Sequence, residues 1–127
     1  MVRGSDLEIL RGAEGGRFNV LHVCGKAVDF ERFAEYPVQV INWADREAGP
    51  GIGEVAGWVG PAICGGVDNL KTLPEGPEGD VEREVGEALR AGGERPIMIS
   101  PGCTYDPERV AKGNLEAMVR AVRGIGN

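Results

Sequence analysis

The single histidine of this 127-residue chain, His22, stands two residues before Cys24 at the end of an apolar run, and a second such run ends in Cys103. A strand turns residues i and i+2 to one face, so His22 and Cys24 point the same way if that run is a strand. If two parallel strands end side by side, Cys103 completes a His/Cys/Cys set. Three such ligands with the fourth position open make a catalytic zinc arrangement. The plainer alternative is a buried strand in which the histidine hydrogen-bonds a neighbour, because His-x-Cys alone is a weak pattern.

The elements that must position these residues follow from periodicity. Apolar runs of strand length alternate with helix-period segments, which is the βαβα signature of a parallel sheet. Ser5 with Glu8 fits a capping box that opens a short helix, ended by Gly15 and Gly16. The first strand is expected over residues 18–24, followed by a helix carrying Phe30, Phe33 and Ala34 that Pro37 stops. The second strand is expected over residues 38–43. Ile52, Val55, Ala56 and Val59 then recur at helical spacing before Pro61. A short third strand, residues 62–64, runs into a turn at Gly65, Gly66, Val67 and Asp68. A Pro/Gly-rich loop over residues 73–79 leads to a helix with Val81, Val85, Ala88 and Leu89, closed by Gly92 and Gly93. The fourth strand covers residues 97–99. Asp106 then supplies an N-cap with Pro107 at the first helical position, opening a last helix that buries Ala111, Leu115, Met118 and Val122 and ends at Gly124.

Four βα units result, and every residue with chemical potential lies at the C-terminal end of a strand. Parallel α/β proteins place their sites at that edge. Besides the three candidate ligands, Asp68 can hold a substrate or orient a zinc ligand, or else cap the segment beginning at Asn69 and Leu70. Gly65 and Gly66 are candidates for a close approach of backbone to a bound cofactor. No Gly-x-Gly-x-x-Gly and no following Lys-Ser/Thr supports a phosphate loop. Asn42 and Asp45 follow the second strand, where such residues commonly just make turns. Cys64 reads as a small hydrophobe inside the third strand and is left out of the site. The charged segment from Glu78 to Arg90 reads as a solvated helix face, and Trp43 and Trp58 as core or mouth packing.

Composition narrows the partners. The net charge of −6 and the lack of clustered Lys/Arg argue against a nucleic-acid surface. No apolar stretch approaches the roughly 20 residues of a membrane span, and the N-terminus lacks the apolar core of a secretory signal, so no membrane partner and a cytoplasmic location are expected. Three cysteines do not read as a disulfide framework. The length gives one domain over residues 1–127.

The segments Leu21-His-Val-Cys-Gly25, Gly60-Pro-Ala-Ile-Cys-Gly-Gly-Val-Asp68 and Ser100-Pro-Gly-Cys103 resemble the uroporphyrinogen decarboxylase superfamily. The resemblance runs from about Asp6 to Arg123. It implies an α/β fold, the C-terminal half of a (β/α)8 TIM barrel. In the superfamily's zinc-dependent methylcobamide:thiol methyltransferases, such as the coenzyme M enzymes, a His-x-Cys and a distant Cys hold the zinc. Carried over, these are His22, Cys24 and Cys103. The decarboxylases carry a histidine after the last strand, where this chain has Cys103, so the cysteine pattern favours the zinc branch. The implied activity is methyl transfer from a corrinoid, carried by a partner, to a small-molecule thiol. Uroporphyrinogen decarboxylase itself, acting on a tetrapyrrole in porphyrin biosynthesis, or a fragment of it, is the alternative, and a non-catalytic half-barrel subunit a third.

A barrel needs about 250 residues, and this chain has half of that. Four strands covered by helices on one face leave the other face apolar and open. Homo-oligomerisation into a double half-barrel, a separate N-terminal half-barrel chain, or origin of this chain as a piece of a longer protein is therefore expected.

Overall fold

A computed structural model describes residues 3–125. Its centre is a single sheet of four parallel strands in the order β1-β2-β3-β4, formed by Val20–Val23, Val40–Trp43, Ala62–Val67 and Ile97–Pro101. Helices alternate with the strands: α1 is Arg3–Gly12, α2 Ile52–Val55, α3 Thr72–Glu75, α4 Glu78–Gly92 and α5 Lys112–Ile125. This is an α/β fold built as four successive units, the arrangement of half a barrel. Among the described residues no helix is long and apolar enough to cross a membrane.

Alternation along the strands decides which residues meet the helices. Leu21, Val23, Ile41, Trp43 and Ile63 turn toward Val55, Val59 and Ala88 and make the main core. Phe30 packs on Trp43 with ring centroids 4.6 Å apart and the planes tilted by 50°, whereas Trp58 is 48 % exposed. A second cluster joins Val67, Leu73, Val81 and Val85 to Val110 and Ala117. The other face carries Val20, His22, Asn42, Cys64, Met98 and Ser100. It is open in part, with Val20 52 % and Met98 46 % exposed, although Val40, in register with Val20, is buried.

Several boundaries differ from the sequence expectation, each for a local reason. α1 begins at Arg3 and ends at Gly12, so Ser5 lies inside the helix and Gly15 and Gly16 beyond its end. β1 is shorter than residues 18–24, since Phe18 is exposed and Cys24 already leaves the strand. The helix expected around Phe30 is one turn of 3-10 helix, Phe30–Phe33. Pro37 leaves too few residues beyond it to offset helix nucleation. The turn expected at Gly65 to Asp68 is instead the second half of β3, which pairs with β4 as far as Val67.

The last helix is the largest correction. Asp106 caps a turn, its carboxylate accepting the Glu108 N–H at 3.0 Å, and α5 starts only at Lys112. Its buried side is only partly the one expected, since Leu115 and Met118 pack against the core but Ala111 and Val122 do not. Asn114 and Ala117 are buried, Leu115 and Met118 are half-buried, Ala111 lies exposed ahead of the helix, and Val122 is exposed. The cause is polar. The Asn114 amide donates to the Leu73 and Gly76 carbonyls at 2.8 and 2.9 Å, serving acceptors that the short α3 leaves unpaired.

Gly65 and Gly66 have packing roles. A Cβ on Gly65 would stand 2.7 Å from Asp45 Oδ1, and one on Gly66, which holds φ of 107°, would stand 2.6 Å from Ala88 Cβ. The missing side chains admit the buried Asp45 carboxylate and the close approach of α4. Asp45 accepts the Gly66 N–H at 2.9 Å. Arg46 donates to the Gly66 carbonyl at 2.6 Å, to the Glu84 carbonyl at 2.9 Å and to Glu87 at 2.9 Å. Glu84 breaks the reading of α4 as a wholly solvated face. It is buried and accepts from the Asp68 N–H and the Thr72 hydroxyl.

Burial pushes the Asp45 carboxyl above the ordinary aspartate value, against the opposing Gly66 N–H and the Arg46 charge. The folded chain therefore holds this proton more tightly than the unfolded chain. Stability from this group is fully present below the ordinary value of 3.8 and is lost as pH rises through the raised folded value. Asp45→Asn keeps the acceptor and removes the charge. Thermal melts should show the variant more stable than wild type at neutral pH, with the gap closing toward about pH 4.

Candidate metal centre

β1 and β4 are the two outer strands. In a flat sheet they would lie about 14 Å apart, three spacings of about 4.8 Å. Yet Cys103 Sγ sits 3.3 Å from His22 Nε2. The loop after β4 closes that distance by crossing the ends of the intervening strands. Gly102 makes the crossing possible. Its N–H donates to the Val67 carbonyl at 3.0 Å, and a Cβ there would fall 2.7 Å from Ala44 Cα and 3.0 Å from the Trp43 carbonyl oxygen. No other residue fits over the end of β2 at that height.

His22 and Cys24 come from the end of β1, as their spacing predicts. The ligand atoms of His22, Cys24 and Cys103 all lie within 4.8 Å of one another, so the three can hold a metal ion. Tetrahedral zinc with one nitrogen and two sulfur ligands requires edges of about 3.5 to 3.8 Å, so closure takes shifts of about 1 Å.

Asn42 orients the histidine ring. Asn42 is in register with His22 on the neighbouring strand. Its Nδ2 donates to the Cys64 carbonyl at 2.9 Å and lies 3.4 Å from both Ser100 Oγ and the Pro101 carbonyl. With the amide nitrogen so engaged, Oδ1 faces His22 Nδ1 at 2.5 Å. In the neutral imidazole Nδ1 then carries the proton and Nε2, which faces Cys103, carries the lone pair. That is the tautomer a metal ligand needs. Sequence reasoning treated Asn42 as a turn residue. The available signal was its place at the end of the strand that follows His22, but the pairing register was needed to bring the two together.

An open groove of about 490 Å³ borders the cluster, lined by Val20, Asn42, Cys64, Ser100, Thr104 and Tyr105 among others. Cys64 is half-exposed in this groove, its Sγ 3.1 Å from Ser100 Oγ, and so is not the core residue expected. It remains outside the His/Cys/Cys group. Asp68 does what its capping alternative requires: Oδ1 accepts the N–H groups of Leu70 and Lys71 at 2.7 and 2.9 Å. Neither Asp68 nor Gly65 nor Gly66 lines the groove.

No protein-family model matches the chain, and no curated protein matches it. Among solved structures, a methyltransferase from Methanosarcina mazei is similar over 97 % of this chain, with a TM-score of 0.80 and 23 % identity. The likeness is one of fold. The chain spans 35 % of that protein's length.

Two substitutions probe the cluster. Asn42→Leu leaves His22 free to rotate and change tautomer, and should weaken zinc or cobalt binding by roughly 10- to 100-fold in competition titrations. Gly102→Ala lifts Cys103 off the end of β2 and should weaken binding at least as much while Cys24 and His22 stay in place.

Proposed function

We propose that this chain carries the thiol-activating centre of a zinc-dependent methyltransferase, with a small-molecule thiol as acceptor and a partner-borne corrinoid as methyl donor. The observation that carries the reading is the convergence of His22, Cys24 and Cys103 on one point, with His22 Nδ1 held by the Asn42 amide oxygen and Nε2 turned toward Cys103. Two soft thiolates and an imidazole suit zinc. The similarity in fold to a protein named as a methyltransferase supports the same class of reaction.

Zinc at this position would supply Lewis acidity, letting an incoming thiol lose its proton near neutral pH while remaining a nucleophile. The chain's own residues divide the remaining work. Cys24 and Cys103 offset the ion's charge. Asn42 fixes the imidazole, and the three-residue cage leaves one side open toward the groove. Val20, Tyr105 and Thr104 line the groove on that side.

Protein prepared without chelator should contain about one zinc per chain, falling below about 0.3 in Cys103→Ala by elemental analysis. Cobalt(II) in place of zinc should give thiolate charge-transfer absorption that Cys24→Ala and Cys103→Ala each diminish. Wild-type protein without zinc, or full zinc content in both cysteine variants, would remove the basis for thiol activation.

A further inference from the structure

Cys24 and Cys103 are close enough to bond to each other. Their sulfur atoms belong to a group whose ligand atoms all lie within 4.8 Å of one another. A disulfide holds its sulfur atoms about 2.05 Å apart, so the gap to close is at most about 2.8 Å. The two cysteines differ in how firmly they are held. Just before Cys103, Gly102 donates its N–H to the Val67 carbonyl at 3.0 Å, and just after it the buried Asn69 amide donates to the Thr104 carbonyl at 2.9 Å. Cys103 is therefore pinned on both sides. Cys24 is exposed and lies one residue beyond Val23, the last paired residue of β1. Turning its χ1 carries Sγ across the required distance without disturbing the sheet.

The third cysteine is kept apart from this pair. Cys64 stands on β3 in register with Asn42, which is itself in register with His22. That places it two strand spacings, about 10 Å, from the β1 row. Its Sγ is 3.1 Å from Ser100 Oγ, whose own hydroxyl donates to the Pro101 carbonyl at 2.9 Å. The hydroxyl oxygen is thus left to accept from the thiol, which holds Cys64 in its protonated, unreactive form.

We propose that Cys24 and Cys103 form a redox-responsive pair: a hydroperoxide converts them to a disulfide and so empties the metal centre, while Cys64 stays reduced. This regulation rests on the thiol-activating reading of the site, because a centre that works through thiolate ligands is disabled when they are joined. The chemistry balances with hydrogen peroxide as the oxidant. One thiol sulfur attacks a peroxide oxygen, the O–O bond breaks, and the sulfur becomes a sulfenic acid as one water leaves. The second thiol sulfur attacks the first, the S–O bond breaks, and the disulfide forms as another water leaves. The two thiol protons depart in the two waters. Each sulfur gives up one electron, and the peroxide takes up both. Disulfide sulfurs carry no thiolate charge, so of the three ligands only His22 would remain for the ion. A reactant as small as peroxide reaches any point that an acceptor thiol reaches, so the rest of the mouth does not decide the outcome.

Hydrogen peroxide added to the whole chain, once loaded with zinc and once freed of metal by a chelator, tests the pair. Intact mass should fall by about 2 Da, and peptide mapping should place a Cys24–Cys103 cross-link within one chain. Of the three free cysteines only Cys64 should still alkylate. The loaded chain should release about one zinc for each disulfide formed, and a dithiol reductant should restore both thiols. Cys64→Ser should cross-link as wild type does, and Cys24→Ser should not. A cross-link through Cys64, bonding only between chains, or oxidation to sulfinic acid with no cross-link would each overturn the proposal. So would a loaded chain that keeps its zinc under peroxide that cross-links the metal-free chain. A chain that takes up no zinc overturns thiol activation and this regulation together, whereas full zinc with no bond in either state overturns the regulation alone.

Discussion

The candidate centre depends on one geometric constraint: donors from the two outermost strands must meet at a single point. A sheet of this width does not allow that by itself. The chain meets the constraint with a loop that runs back over the strand ends, and Gly102 is the residue on which that loop rests. Around it, the Val67 carbonyl anchors the loop backbone and Asn42 supports His22 from below. The capacity to hold a metal here is thus a property of the sheet's rim as a whole, with contributions from β1, β2, β3 and the segment after β4.

A second polar system holds that rim to the helical layer. Asp45 enters the space left by Gly65, and Arg46 extends across the Gly66 carbonyl to Glu84 and Glu87 of α4. Glu84 in turn caps the turn at Asp68 and Thr72. The two systems share β2: Asn42 faces the groove, and Asp45 and Arg46, just past the strand, face the helices. A buried carboxylate whose proton is held above the ordinary range works against stability at neutral pH. Its hydrogen bond to Gly66 is the compensation, fixing the path of β3 next to the site.

Much of this was legible in the sequence because the relevant signals are periodic. The four strands announce themselves as apolar runs, and the i, i+2 spacing of His22 and Cys24 places them together on one face. The core of α4 follows from Val81, Val85 and Ala88 alone. What the sequence hid was long-range pairing. Asn42 matters through register with His22, Gly65 through the carboxylate of Asp45, and Asn114 through two carbonyls about forty residues earlier. In each case a residue type common in turns was answering a distant group. The Asp106 signal misled for the opposite reason: a capping residue followed by proline is equally at home in an isolated turn, and Val110 anchors that turn in the core before α5 begins.

The Asn42 side chain touches an imidazole on β1, a backbone carbonyl on β3, and both a hydroxyl and a carbonyl on β4, while standing on β2 itself. One amide group therefore works as a tie rod through the full breadth of the sheet. Any sliding of β4 relative to β3 must be transmitted to the tilt of the His22 ring. Mechanical strain arriving at one margin of the molecule would be read at the other as a change in how His22 stands against Cys103.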